Sequence, residues 1–426
     1  MDKIAYDSHK FLTLPQGVKD FGPVKAEDLK RIESVLLEEF SYWGYRRVIT
    51  PLFEYLDTMS AGIGEDFKHR LMKFVDPHTG EIVVLRPDIT PQIGRMVATQ
   101  LSDYRYPLRL CYSGRVVRYE EKGSGKEREV FQLGCELLGL SSTEGDSEII
   151  ALALKSLNRL GLKKITLNLG HTGILDAVLR DAGEIRDELV QALVKKDQEW
   201  IRRIVEPSGI PTDVKDVLLS LSDYYGDADI LRRAARNERF KLYIEEIVSV
   251  ISVLEEYNIE CDISVDLVEV KGFEYYTGVT FEVISSVAPA SLATGGRYDG
   301  LVSRYGRSVP AAGFAIDAEA LMQNTKSSDG ENQVHFIIVP KSQDLRSDAI
   351  RLAEWLRSSS FKVILDLTGS YADMIDSNNF FDGDGSFATY GIIELESSSK
   401  IKLVESRTGS IREFSNLEEL LTGGGL

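Results

Sequence analysis

A charge-rich helical run from about residue 175 to 257 separates two strand-rich stretches of this chain, in segments such as DELVQALVKKDQEWIRRIV and ILRRAARNERF. The strand pattern resumes at Ile263–Val270, so the run reads as a helical insertion within one domain. Ahead of it, residues 26–43 (AEDLKRIESVLLEEFSYW) carry apolar side chains at helical spacing, and Gly44 supplies a C-terminal stop. The following YRRVITPLFEYLD reads as a strand with an edge or interface role, because Pro51 has no N–H to donate. Residues 81–86 and 107–119 read as strands, with GSG at 123–125 as a turn, and 145–160 as an amphipathic helix. Polar Gln323–Gln333 reads as a linker. Beyond it, VHFIIVP, SDAIRLAEWLRS and KVILDL give strand–helix–strand, the start of a small α/β domain. The expected division is a core at 1–325, a linker at 323–333 and a C-terminal domain at 334–426.

The formal charge of −17 repels polyanions at long range and weighs against nucleic acid as main partner. No apolar run reaches membrane-spanning length, and MDKIAYDSHKF lacks the apolar core of a signal peptide, so the cytoplasm is expected. Cys111, Cys135 and Cys261 form no CxxC pair and read as small buried residues. The five histidines make neither HxH nor HExxH, so no protein-built metal site is expected, and no cofactor.

Four constellations could carry chemistry. In LRPDITPQIGR, Asp88 stands at the head of a helix, where its carboxylate either caps the helix or binds a ligand amine. VRYE and KEREVFQLGCELLG read as a hairpin that brings Arg118 near Gln132 and Glu136, although such a charged hairpin is usually a solvated face. FEYYTGVTFEV alternates as a strand, so Tyr275 and Tyr276 take opposite faces, one lining a pocket and the other packing. In TGGRYDGL the glycines permit close backbone approach, and Arg297 could meet a carboxylate or phosphate. Neither a P-loop nor a Rossmann fingerprint is present.

In order and spacing, LPQGVKDFGP, ITPLFE, LRPD, VRYE, FQLGCELLG, YYTG, GGRYDGL and GFAI resemble histidyl-tRNA synthetase over most of residues 12–325. The resemblance implies an α+β fold, a class II aminoacyl-tRNA synthetase-like antiparallel sheet flanked by helices. It also implies dimerisation around the ITPLFE proline. For histidine recognition it implies Asp88, Thr90, Arg118, Gln132, Glu136 and Tyr275 or Tyr276.

The chain departs from that family where adenylation occurs. Lys271 replaces an arginine, Asp317 a glycine and Ala320 an arginine, while Arg128 and Arg297 survive among the vestigial ATP-site positions. A flexible ammonium is a poor substitute for a bidentate guanidinium. The C-terminal domain resembles a degenerate anticodon-binding domain. Between Lys362 and Lys400 it has no Lys or Arg but holds Asp366, Asp373, Asp376, Asp382, Asp384, Glu394 and Glu396, so tRNA binding is not expected. These departures resemble the synthetase-like regulatory subunit of ATP phosphoribosyltransferase. That resemblance implies a non-catalytic histidine sensor, partnered with a short catalytic subunit in a hetero-octamer. The alternatives are an active histidyl-tRNA synthetase with a compensated site, or a histidine- or tRNA-binding module serving another partner.

Overall fold

The structure, a computed structural model, describes residues 13–64, 68, 71–118, 128–220, 224–267, 275–285, 291–325, 335–366, 391–405, 410–416 and 419–420. The chain divides into two units, Met1–Lys326 and Ser327–Leu426.

The first unit starts with α1 (Pro23–Tyr42), whose Leu29, Ile32, Leu36 and Phe40 form one buried stripe. Gly44, at φ 80°, ends it in the left-handed region that glycine adopts without strain. The segment expected as one strand is two, β1 (Arg46–Arg47) and β2 (Phe53–Tyr55), in different sheets. Pro51 falls between them, and the carbonyls of Thr50 and Pro51 accept from the Arg86 guanidinium instead of a strand neighbour. After α2 (Leu56–Ile63) come β3 (Lys73–Val75) and β4 (Ile82–Leu85), which complete a three-stranded sheet with β2. Next are α3 (Thr90–Thr99), β5 (Leu108–Val117), β6 (Glu129–Leu138), α4 (Thr143–Arg159) and β7 (Ile165–His171).

The insertion supplies α5 (Thr172–Leu179), α6 (Arg186–Val194), α7 (Gln198–Val205), α8 (Thr212–Leu219), β8 (Tyr225–Asp227), α9 (Asp229–Ala234) and α10 (Lys241–Glu256). It is therefore not purely helical. Its β8 forms one edge of the main sheet against β9 (Asp262–Asp266), and Leu189, Ile204, Val217 and Ile247 join the main core. β10 (Val279–Ser285), β11 (Ser291–Arg297), β12 (Ala311–Asp317) and α11 (Ala318–Asn324) follow, so the first residues expected as linker end a helix.

The main sheet runs β1-β5-β6-β12-β11-β10-β7-β9-β8, antiparallel except for the β1–β5 and β7–β9 pairs. Alternation gives it two unlike faces. Leu133, Cys135 and Leu137 of β6, with Ala312, Phe314 and Ile316 of β12, enter a core formed with α1, α4 and α10. Gln132, Gly134 and Glu136, with Gly313, Ala315 and Asp317, lie on the opposite face. There a smaller core joins α3, Tyr112, Tyr275 and Tyr298. Cys111 and Cys135 are buried and Cys261 half-buried, all as free thiols.

In the second unit, β13 (Phe336–Pro340), α12 (Arg346–Ser358) and β14 (Val363–Leu365) form the expected strand–helix–strand. β15 (Gly391–Ser397), β16 (Lys400–Glu405) and β17 (Ile411–Phe414) complete the sheet order β14-β13-β15-β16-β17. Asp373, Asp376, Asp382 and Asp384 lie outside the described residues. The described acids of that interval do not form an open acidic surface: Asp366 is buried, Glu394 is buried against Lys341 at 2.6 Å, and Glu396 pairs with Lys400 and Lys402.

Leu36→Ala, emptying a fully buried position of α1, is expected to cost about 2–5 kcal/mol in urea unfolding. Leu242→Ala, on the exposed side of α10, should change stability by less than about 0.5 kcal/mol.

Candidate functional site

Glu136 stands on the open face of β6, only 1% exposed. Its Oε1 accepts from the Thr90 hydroxyl at 2.8 Å, and its Oε2 accepts from the Tyr298 hydroxyl. Thr90 opens α3, so the helix delivers a donor from across the sheet. Gly313, beside Glu136 on β12, allows the close approach, since a Cβ there would lie 1.7 Å from Oε2. Burial pushes the Glu136 carboxyl up to about 8, against the Tyr298, Thr90 and Tyr112 hydroxyls and with the Asp88 charge adding to the rise.

Asp88 is also buried, and it is no helix cap. Its Oδ1 accepts the N–H of Ile89, the residue before α3, and its Oδ2 accepts the Tyr275 hydroxyl at 2.8 Å. Tyr275 and Tyr276 precede β10 instead of lying in it, so strand alternation does not divide them. Their rings pack 4.9 Å apart. Burial raises the Tyr276 hydroxyl, the Asp88 and Glu136 carboxylates raise it further, and Arg118 opposes them. Both tyrosines therefore belong to the site.

Gln132 lies four residues from Glu136 on the same face of β6, about 13 Å away at strand spacing. It is buried, and its Oε1 has no hydrogen-bond partner among the described residues. Between them Gly134 carries no side chain, and the Tyr112 hydroxyl covers that position, 2.4 Å from where a Cβ would sit. The Tyr112 hydroxyl is buried beside Thr90 and Glu136, with both of which it interacts. Buried polar groups normally find partners, so the unpaired Gln132 acceptor is a candidate contact for a polar ligand. A cavity of about 130 Å³ is lined by Gln132 together with Arg118, Thr294, Ala315 and Asp317, among others.

The hairpin does not set Arg118 against Glu136. Glu136 opposes Leu110 in the register, and the Arg118 N–H donates to the Arg128 carbonyl at 2.7 Å. Arg118 reaches the site from its rim, its Nε donating to the Pro87 carbonyl at 3.3 Å.

The remaining expected positions do not converge. Arg297 faces the core side, opposite Ala312 in the register. There it donates to Asp146 at 2.7 and 3.1 Å, to Asp299 at 3.1 Å and to the carbonyls of Leu140 and Ser142. Strand alternation turns it away from any ligand on the open face. Arg128 packs across Gly17, with Nη1 donating to the Gln16 carbonyl at 3.4 Å and Nη2 directed at Met72 Sδ at 3.1 Å. The Asp317 carboxylate caps α11, accepting from the N–H groups of Glu319 at 2.9 Å and Ala320 at 3.1 Å. Ala320 packs against the main core, and Lys271 lies outside the described residues. The Arg297 guanidinium thus has its donors met within the fold, whereas Arg128 Nε is buried without a partner among the described residues.

Sequence reading missed Tyr298 and Tyr112. Both were legible by parity: each follows a residue of the core face, Arg297 and Cys111, and so turns to the other side.

The sequence profile of histidyl-tRNA synthetases matches residues 17–321. The chain is 37% identical over 362 residues to the ATP phosphoribosyltransferase regulatory subunit of Geobacter sulfurreducens, covering 83% of each protein. It is 32% identical over 421 residues to the regulatory subunit of the same name from Syntrophotalea carbinolica, covering 96% of each. The chain belongs to this synthetase-like family of regulatory subunits. A crystal structure from Bacillus halodurans, described as an ATP phosphoribosyltransferase regulatory subunit/histidyl-tRNA synthetase, superimposes with a TM-score of 0.78 at 31% identity, covering 92% of this chain and 99% of that one. Apo histidyl-tRNA synthetase from S. aureus shares the fold, with a TM-score of 0.67 at 22% identity over 96% of this chain and 98% of that one.

In this regulatory-subunit chain Arg297 is a structural tie. Arg297→Met, which strands Asp146 in the core, is expected to cost about 3–5 kcal/mol in urea unfolding, and adding Asp146→Leu should recover much of it.

Proposed function

We propose that the chain is a non-catalytic regulatory subunit that activates a short ATP phosphoribosyltransferase catalytic subunit and makes the complex, a hetero-octamer, sensitive to histidine. Its relatives' names supply the partner, and the open-face site supports the effector. The observation that carries the effector reading is the unsatisfied buried Gln132 Oε1 on the same face of β6 as the buried carboxylate Glu136, which Asp88 neighbours. An amino acid with an imidazole offers N–H donors at both ends, and its carboxylate can meet Arg118 at the rim. Histidine inhibits in this reading by binding one state of the assembly more tightly than the other, and about 1–3 kcal/mol of coupling suffices.

The chain also pairs with a second copy of itself. Supporting this, the three-stranded sheet and the segment before it expose Ile49, Phe53, Phe74, Val75 and Ile82, a concentration of apolar surface of the kind interfaces cover. No helix among the described residues is long and apolar enough to cross a membrane.

The decisive assay measures ATP phosphoribosyltransferase activity of the short catalytic subunit from the same genome alone, with this chain, and with this chain plus histidine. Activity should require the chain and fall with histidine. Glu136→Ala should keep the activation and lose the inhibition. Activity indifferent to the chain would end the regulatory reading. In sedimentation velocity, Phe53→Asp should shift the chain alone toward the monomer.

A further inference from the structure

Two thiols stand opposite each other inside the main sheet, on the face away from the candidate site. Cys111 of β5 and Cys135 of β6 are direct partners in the antiparallel register, so both side chains leave the same face and enter the main core. The Cys111 carbonyl accepts from the Val48 N–H at 2.8 Å, on the side of its strand that carries β1. A residue bonded on that side gives no ladder bond to β6, so the two cysteines form a non-hydrogen-bonded pair. Such pairs hold their Cα atoms about 4.5 Å apart, within the separation a disulfide spans. Both thiols are free and buried. Cys261 stands just before β9, five places along the sheet from β6 and about 24 Å away at strand spacing, so it can bridge neither.

We propose that Cys111 and Cys135 are a dithiol that a peroxide converts to a cross-strand disulfide. Cys111 is the attacking thiol. It pairs with Arg47 of β1, a strand of two residues at the sheet edge, where local opening is least costly. Burial pushes the Cys111 thiol up to about 11 against the pull of the Arg47 guanidinium, and it pushes Cys135 well above the ordinary thiol value. Oxidation is therefore slow and passes through the opened edge. The Cys111 thiolate attacks one peroxide oxygen, forming an S–O bond as the O–O bond breaks, and the departing hydroxide takes up the thiol's proton as water. Cys135 then attacks the sulfenic sulfur, forming the S–S bond as the S–O bond breaks and a second water leaves with its proton. The thiols lose two electrons and two protons, and hydrogen peroxide becomes two waters. The bond fixes the pairing of the strands that carry Tyr112 and Glu136 on the other face. It requires no ligand there, so it stands apart from the effector reading.

The test exposes the folded, fully reduced chain to hydrogen peroxide, then unfolds it, alkylates the remaining thiols and maps them by mass spectrometry of tryptic peptides. Peptides Leu110–Arg115 and Glu129–Lys155 carry the pair and contain no methionine to confuse the masses. They should appear joined, two hydrogens lighter than their reduced sum, and separate again with dithiothreitol. Alkylation at Cys111 and Cys135 should fall together. In Cys135→Ser the sulfenic acid on Cys111 has no resolving thiol, so dimedone should capture it there and not in the wild type. Three results overturn the proposal: Cys111 and Cys135 both still alkylated after Cys261 has been oxidised, oxygen-bearing acids at either without the link, or a disulfide through Cys261 in its place. The wild-type peptide map decides the matter even where the variant does not fold.

Discussion

A carboxyl group buried on a sheet requires donors, and the sheet itself has none to spare because its N–H groups are paired along the ladder. Glu136 takes its donors from Thr90 at the start of one helix and Tyr298 beyond a strand more than 200 residues later. The backbone of Gly313 must also come close enough to leave no room for a side chain. One buried group thus ties α3 and the turn after β11 to a β6–β12 pair that its own ladder already holds.

The division between site and scaffold follows from strand parity. Along β11 and the turn after it, Arg297 and Tyr298 are adjacent and serve opposite faces. Arg297 ties the beginning of α4 to the back of the sheet through Asp146, and Tyr298 meets Glu136 on the front. On β6, Cys135 feeds the main core while Glu136 feeds the site. The guanidinium is worth most where water is excluded and its donors are all met, and the core face supplies that environment. An arginine so placed cannot also receive a phosphate.

Much of this architecture was legible from residue patterns. The α1 stripe, the β5–β6 strands, α4 and the strand–helix–strand of the second unit all follow apolar periodicity that burial enforces. Motif spacing gathered Asp88, Thr90, Gln132, Glu136 and the tyrosine pair. What escaped was decided by tertiary partners. Pro51 broke a strand because Arg86 claimed the neighbouring carbonyls, and Tyr275–Tyr276 left the strand register because Asp88 holds the Tyr275 hydroxyl. The fates of Arg128 and Arg297 depended on Gly17 and Asp146, neither of which is near them in sequence. The acidic composition of the second unit does not reveal that Glu394 sits on a buried strand with its own lysine.

Family membership leaves open how a site on one face of a sheet influences a partner. A ligand shifts an assembly only through contacts that differ between its states. The unsatisfied Gln132 acceptor lies on β6, and Glu136 on the same strand links it to α3 and to the turn carrying Tyr298. That turn is also anchored through Arg297 and Asp299 to α4 and to the β12 backbone. A ligand engaging Gln132 would therefore act on a strand whose front contacts and back contacts share one short segment, residues 297–299. Displacing that segment would strain a buried ion pair on one side and a buried carboxyl on the other. The penalty for intermediate positions favours discrete states over gradual deformation, as the proposed effector control requires.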